Sequence, residues 1–333
     1  MKATTMKPPA EPTRGNSFLR KLRDSHTIRQ YSGIVLALLF LCVIFSISSQ
    51  RFLQVNNFLN IMQQVAVVAV AAFGMTYVIL LGEIDLSVGS MIAVAGMVGA
   101  QCLAFGLGFL PSVVVTLIAG MAMGGLNGML SAKLGLPSFI VTLATMGIFR
   151  GFVTLPTGGL PAPISDDTWL MISIVSFLGV PVMIWILLAL FVVNHVVLSK
   201  TVFGRRAYLT GGNREAAIYS GIAVDRLKIT IFMLSGVMAA ISGILLSSRL
   251  SSAQTNAGMG YELDAIAAAV LGGTSLSGGA GSMIGTLLGA LIIGVINNGM
   301  NLLAVPYFYQ LIVKGVVILL AVWLDVRSKR AQA

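Results

Sequence analysis

Charge is what this chain has least of. Only 10% of its 333 residues are Asp, Glu, Lys or Arg, against about 25% in ordinary soluble domains. Hydrophobic residues make up 57% and mean hydropathy is +0.94. A soluble core cannot absorb that much apolar side chain, so long segments must face lipid. Reactive groups are scarce too. The two cysteines, Cys42 and Cys102, both fall in apolar runs and read as small packing residues rather than a disulfide. The two histidines, His26 and His195, are too isolated for a metal site. No zinc-binding HExxH or serine nucleophile elbow occurs, so no catalytic residue and no metal are assigned. A phosphate-binding loop needs GxxxxGK and then Ser or Thr, and the glycine-rich stretches at 211–214 and 271–282 lack that lysine and spacing. The chain therefore binds no cofactor of its own.

What the chain has is apolar runs. Ten are found, at 31–48, 58–80, 86–107, 111–132, 138–157, 170–194, 229–249, 263–274, 283–303 and 307–324. Most approach the roughly 20 residues a helix needs to cross hydrocarbon. The first is too long, and too far behind a polar lead, for a cleaved signal. The eighth is short and glycine-rich, which suits a broken or re-entrant helix. The expectation is an all-α integral membrane protein, a polytopic bundle of about ten transmembrane helices with both termini on one side. Residues 1–28 read as a disordered tail, 29–326 as the membrane domain and 327–333 as a second tail. Lys2, Lys7, Arg14, Arg20, Lys21, Arg23, Arg29, Lys133, the basic loop 199–228, Arg327, Lys329 and Arg330 all fall on one side of such a thread. The other side keeps mainly Arg51 and Arg249, with Asp166 and Asp167 in its largest loop. That bias places both termini in the cytoplasm. It also assigns the net charge of +10 to topology and anionic lipid rather than to nucleic acid.

Small residues recur four apart at Gly120, Gly124 and Gly128, and again at Gly281, Gly285 and Gly289. They let helix backbones approach closely, which indicates packing and not purpose. An internal echo links GEIDLSVGSMI at 82–92 with GTSLSGGAGSMI at 273–284. It hints at a repeated break followed by a helix, the arrangement transporters place around a path. Within the first copy, Glu83, Asp85 and Ser87 read as a helix cap or interface turn, with direct substrate contact and proton coupling left as alternatives. The loop 157–168 is rich in Gly and Pro and reads as an exposed connection.

The sharper signal is 199–228. There 210–213 (TGGN) reads as a turn, Asn213 as the cap of a short helix starting at Arg214, and Glu215 as a first-turn acid suited to the helix dipole. Gly221 would end it. Such a helix is marginal alone. It makes sense either docked into a partner's groove or as part of a plain basic loop.

These stretches resemble permease subunits of bacterial ATP-binding-cassette importers for ribose, xylose, galactose and related monosaccharides, the branch that includes branched-chain amino-acid permeases. The resemblance runs from about residue 52 to 325. It is carried by GEIDLSVGS (82–90), PSFIVTLATMGIFRG (137–151), FGRRAYLTGGNREAAIYSGI (203–222), LGGTSLSGGAGS (271–282) and INNGMNLLAV (296–305). The family usually has a second glycine where this chain has Glu83. The resemblance implies a coupling helix seated on the ATPase subunit, carried here by Gly212, Asn213, Arg214, Glu215, Ala216, Ala217 and Gly221. It implies a second permease subunit, most simply an identical copy, a cytoplasmic ATPase that holds ATP and Mg, and a periplasmic sugar-binding protein. The location would be the bacterial inner membrane. Polar candidates for the path are Asn127, Ser138, Thr142, Thr145, Asn297, Asn298, Asn301 and Gln310, each of which also has a helix-joining reading. A secondary transporter of a small polar solute is the alternative. A channel would need a selectivity ring, and none is evident.

Overall fold

The computed structural model describes residues 26–330. Its helices are α1 (His26–Ser48), α2 (Val55–Leu80), α3 (Val88–Ala104), α4 (Phe109–Lys133), α5 (Ser138–Thr154), α6 (Asp167–Ile174), α7 (Val182–Lys200), α8 (Val202–Gly212), α9 (Arg214–Tyr219), α10 (Val224–Leu250), α11 (Tyr261–Leu271), α12 (Met283–Leu302) and α13 (Tyr307–Arg330). The N-terminal tail read at 1–28 lies outside the described residues as far as residue 25, and so do 331–333 of the C-terminal tail.

The bundle is all-α, but not with ten spanning-length helices. Among the described residues six are long and apolar enough to cross a membrane: α1 from Tyr31, α2, α4, α7, α10 and α12. The other runs fall short for local reasons. Helices α3 and α5 have 17 residues each, and the apolar part of α13 is Tyr307–Leu320. The run at 170–194 splits into α6 and α7 around a hairpin of β2 (Ser176–Phe177) and β3 (Val180–Pro181), with Gly179 at φ +77°. The eighth run holds the 11-residue α11, about 16 Å at 1.5 Å per residue.

Helix α2 is the axis. Every residue from Val65 to Leu80 is buried, so it shows no polar stripe and has protein on all sides. Helices α10, α12, α11 and α7 surround it, and α10 also packs along α4 and α3. The α4–α10 crossing is close because Gly120 and Gly124 lie against the Gly236 and Phe232 carbonyls. On α12, Gly285 and Gly289 lie likewise against Gly272 and Ala268. The spaced glycines are thus helix contacts, as small-residue packing in lipid requires.

At one end of the bundle α2 stops, α10 and α12 begin, and α8 and α9 lie. At the other, β1 (Ala162–Pro163) pairs with β4 (Ser252–Ala253), and α6 starts where the Asp166 carboxylate accepts from the Trp169 N–H at 2.8 Å. The fully buried Trp169 ring packs on Gly99, and its Nε1 donates to Ser247 Oγ at 3.1 Å.

Candidate functional site

The chain leaves α2 and α11 by the same route. Gly82, at φ +75°, donates to the Ile79 carbonyl at 2.8 Å, and Glu83 N donates to Val78 O at 3.2 Å. Gly273, at φ +87°, donates to Val270 O at 2.8 Å, and Thr274 N to Ala269 O at 2.9 Å. Both are Schellman endings, in which a left-handed residue satisfies the last carbonyls. The sequence echo is therefore an echo in the backbone.

Asp85 lies fully buried just past the first ending. Its Oδ1 accepts from Ser87 N at 2.9 Å and Ser87 Oγ at 2.6 Å, and its Oδ2 from Ser235 Oγ at 3.4 Å. Asn127 Nδ2 donates to Ser87 Oγ at 2.8 Å, while the buried Asn127 Oδ1 has no protein partner. The first turn of α5 straps the same loop. Ile84 N donates to Ser138 Oγ at 3.2 Å and Leu86 N to Thr142 Oγ1 at 3.0 Å. Thr145 turns its hydroxyl to the Thr142 carbonyl, 3.3 Å away. Glu83 pairs with Lys228, which stands 145 positions later in sequence. Among the described residues no cation pairs with Asp85. A carboxylate accepting several donors suits a loop that must turn into α3.

The segment after α7 differs from its sequence reading in one respect. Residues 210–212 are not a turn, because α8 continues through Gly212 and the chain breaks only at Asn213. Asn213 Oδ1 accepts from Ala216 N at 2.9 Å and starts α9, which ends at Gly221 with φ +77° and the same 6→1 bond, Ile222 N to Ala217 O at 3.1 Å. Gly212, Asn213, Arg214, Glu215, Ala216 and Gly221 are exposed, and Ala217 is buried. Tyr219 is 90% exposed, so α9 also presents an aromatic ring that the sequence reading passed over. Tyr208 on α8 donates to the Gly281 carbonyl at 2.7 Å, and burial pushes its phenol above the ordinary range.

A second charged cluster was missed. Asp264 is 1% exposed and accepts from Lys314 Nζ at 2.9 Å and from Asn297 Nδ2 at 3.4 Å. Arg150 donates to the carbonyls of Thr255 at 3.2 Å and Ala257 at 2.7 Å. Glu262 packs against Gly89 of α3, and its buried Oε2 has no hydrogen-bond partner. A signal was available, since an ionisable residue inside an apolar run is costly and seldom idle.

The path candidates do not form one group. Asn127, Thr142 and Thr145 gather at the first break. Asn297 belongs to the Asp264 cluster. Asn298 donates to Asn57 Oδ1 at 2.9 Å, and Gln310 donates to Asn301 Oδ1 at 2.9 Å at the α12–α13 corner. A cleft of about 660 Å³ between α1, α2 and α12 is lined by apolar residues such as Phe52, Phe58 and Leu291 and holds none of them. Among the described residues no group of His, Cys, Asp and Glu could hold a metal.

A family model described as the permease component of branched-chain amino acid transport systems matches residues 57–322. The chain is 48% identical over 306 residues to the ribose import permease protein of Bacillus subtilis, covering 91% of this chain and 95% of that protein. It is 46% identical over 295 residues to the ribose import permease protein of Escherichia coli, covering 87% and 92%. Identity is 38% over 294 residues to the L-arabinose ABC transporter permease protein of Azospirillum brasilense, covering 88% and 87%. No solved structure matches the chain.

Proposed function

The chain belongs to this permease family, and we propose that it forms the membrane path of an ATP-driven importer of a ribose-like monosaccharide. It is a transport subunit, not an enzyme. ATP and Mg sit in a separate ATPase, selection rests with a periplasmic sugar-binding protein, and a second permease copy completes the path. In this reading α3, α5 and α13 cross the bacterial inner membrane beside the six long helices. Helix α11 and the glycine-rich break after it make a tenth, broken crossing, from the β4 end of the bundle to the end where α12 begins, so both termini and α9 are cytoplasmic.

The observation that carries the reading is α9 itself. It is a capped two-turn helix that keeps Glu215, Ala216 and Tyr219 in the open and buries little of its own surface. A helix that short is not stable for its own sake. It is shaped to be held by a partner, through Gly212, Asn213, Arg214, Glu215, Ala216 and Gly221, while Ala217 faces inward. Glu83, Asp85 and Ser87 shape the turn into α3. Asn127, Thr142, Thr145, Asn297, Asn298, Asn301 and Gln310 supply hydroxyl and amide groups suited to an uncharged polar solute.

In proteoliposomes, uptake should need ATP, the ATPase and the binding protein together. Glu215→Lys reverses charge at the positive end of α9 and should lose ATPase copurification. Uptake that follows an ion gradient without ATP would favour a secondary transporter, the reading to which the buried Asp85 lends itself. Single cysteines in a background lacking Cys42 and Cys102 test orientation: position 166 should label from outside and position 214 should not.

A further inference from the structure

We infer that Gly211, with Tyr208 and the Gly278–Gly279 turn, is the joint that passes movement of α9 to both helix breaks at once. The inference rests on the coupling role of α9 but concerns residues on its inward side. Gly211 stands three positions before α9. A Cβ on it would fall onto the Leu80 carbonyl and within 2.7 Å of Gly279 N. Leu80 is the last residue of α2, and its carbonyl accepts from Gly279 N at 2.9 Å. On the other side a Cβ at Gly278 would meet Gly211 O at 2.7 Å, Gly82 N at 2.9 Å and Leu80 O at 3.0 Å. One at Gly279 would meet Gly212 Cα at 2.8 Å. Three stretches of backbone thus touch at one point: the end of α8, the first break and the second break.

Backbone touching backbone has no rotamer to absorb a shift. A displacement of the α8–α9 elbow must therefore move the end of α2 and the turn before α12 together, as packed interfaces switch rather than deform. Tyr208 adds a tether, since its bond to Gly281 O reaches the residue before Ser282, whose Oγ caps α12 at Gly285 N, 3.0 Å away. The junction also holds two buried hydroxyl oxygens without a hydrogen-bond partner, Thr210 Oγ1 and Thr274 Oγ1. Such groups cost free energy as they stand.

The test separates docking from transmission. Permease variants are purified with their ATPase, reconstituted with the binding protein, and assayed for sugar taken up per ATP hydrolysed. Gly211→Ala should keep ATPase copurification and lower that ratio about tenfold, within the range by which coupling contacts act. Tyr208→Phe removes one hydroxyl without changing volume, so it keeps the test open if Gly211→Ala does not fold, and it should lower the ratio about threefold. Gly33→Ala, where a Cβ meets nothing within 4 Å, is the control for adding a methyl and should leave the ratio unchanged. Normal ratios in both Gly211→Ala and Tyr208→Phe, with Glu215→Lys still blocking copurification, would overturn the joint and leave docking intact. Normal copurification and uptake in Glu215→Lys would instead remove the docking reading on which it rests.

Discussion

At the ends of α2 and α11 the backbone turns in the same way, yet the two breaks are secured by different means. The first carries its charge in the break. Glu83 answers Lys228, and Asp85 is held by hydroxyl and amide donors with no cation among the described residues. The second carries glycines and hydroxyls in the break, and Gly211 touches both breaks. Its charge lies two turns back on α11, where Asp264 meets Lys314. Exit geometry and anchoring are therefore separable. A left-handed glycine sets the first, and whatever polar groups lie within reach set the second. A repeated break can keep its shape while the two copies diverge in chemistry.

The comparison breaks most visibly at Lys314. Lys314→Met leaves Asp264 buried and unpaired, and removing one partner of such a pair costs about 3–5 kcal/mol. Unfolding in detergent should show that loss, and Lys314→Met with Asp264→Leu should recover most of it. If Lys314→Met proved no worse than Lys228→Met, the two anchors would be equivalent and the contrast would fail.

Asp85 gives the next effect. Asp85→Leu strands the Ser87 amide and hydroxyl, each an unsatisfied buried donor, for about 1–3 kcal/mol. Asp85→Asn retains an acceptor at Oδ1 and should keep most stability and transport. Equal loss of transport in both, at unchanged abundance, would mean that the negative charge itself acts and that the first break is more than a turn.

The shared geometry can be tested apart from the anchors. Gly82→Ala and Gly273→Ala each force a Cβ into the left-handed region, at roughly 1–2 kcal/mol. Space does not separate them, since a Cβ at Gly82 meets Ser277 O at an ordinary 3.5 Å and one at Gly273 meets nothing within 4 Å. Equal shifts in unfolding midpoint are expected. A large difference would show that the breaks share a sequence pattern but not a structural role.

The breaks were legible because glycine and the Leu-Ser and Gly-Ser-Met-Ile pairs repeat, and α9 because Asn213 and Gly221 bracket it. The number of spanning-length helices was not, since apolar runs report burial as readily as membrane crossing. Helix α2 is encased in protein, while α11 is equally apolar and only 11 residues long. The partners of the charges were hidden by distance in sequence. Lys314 lies 50 positions from Asp264, and Lys228 lies 145 from Glu83. Periodicity carries no information about which face meets which. Gly211 was invisible for a different reason: nothing in GGN tells the inward glycine from the outward one.

Glu83 is the smallest effect and the finest probe of the contrast. Its side chain is 25% exposed and that of Lys228 14%, so neither ion is fully removed from water. Neutralising a partly exposed pair costs up to about 1 kcal/mol and is screened by salt. Glu83→Gln keeps a polar group facing Lys228 and should lower stability slightly, less so at high ionic strength, with transport retained. The charge therefore adds to a break already shaped by Gly82. A loss approaching that of Lys314→Met, insensitive to salt, would make Glu83–Lys228 a buried anchor like its counterpart on α11. The first break would then be anchored by a buried ion pair as α11 is, and the contrast between a partly exposed anchor and a buried one would have to be given up.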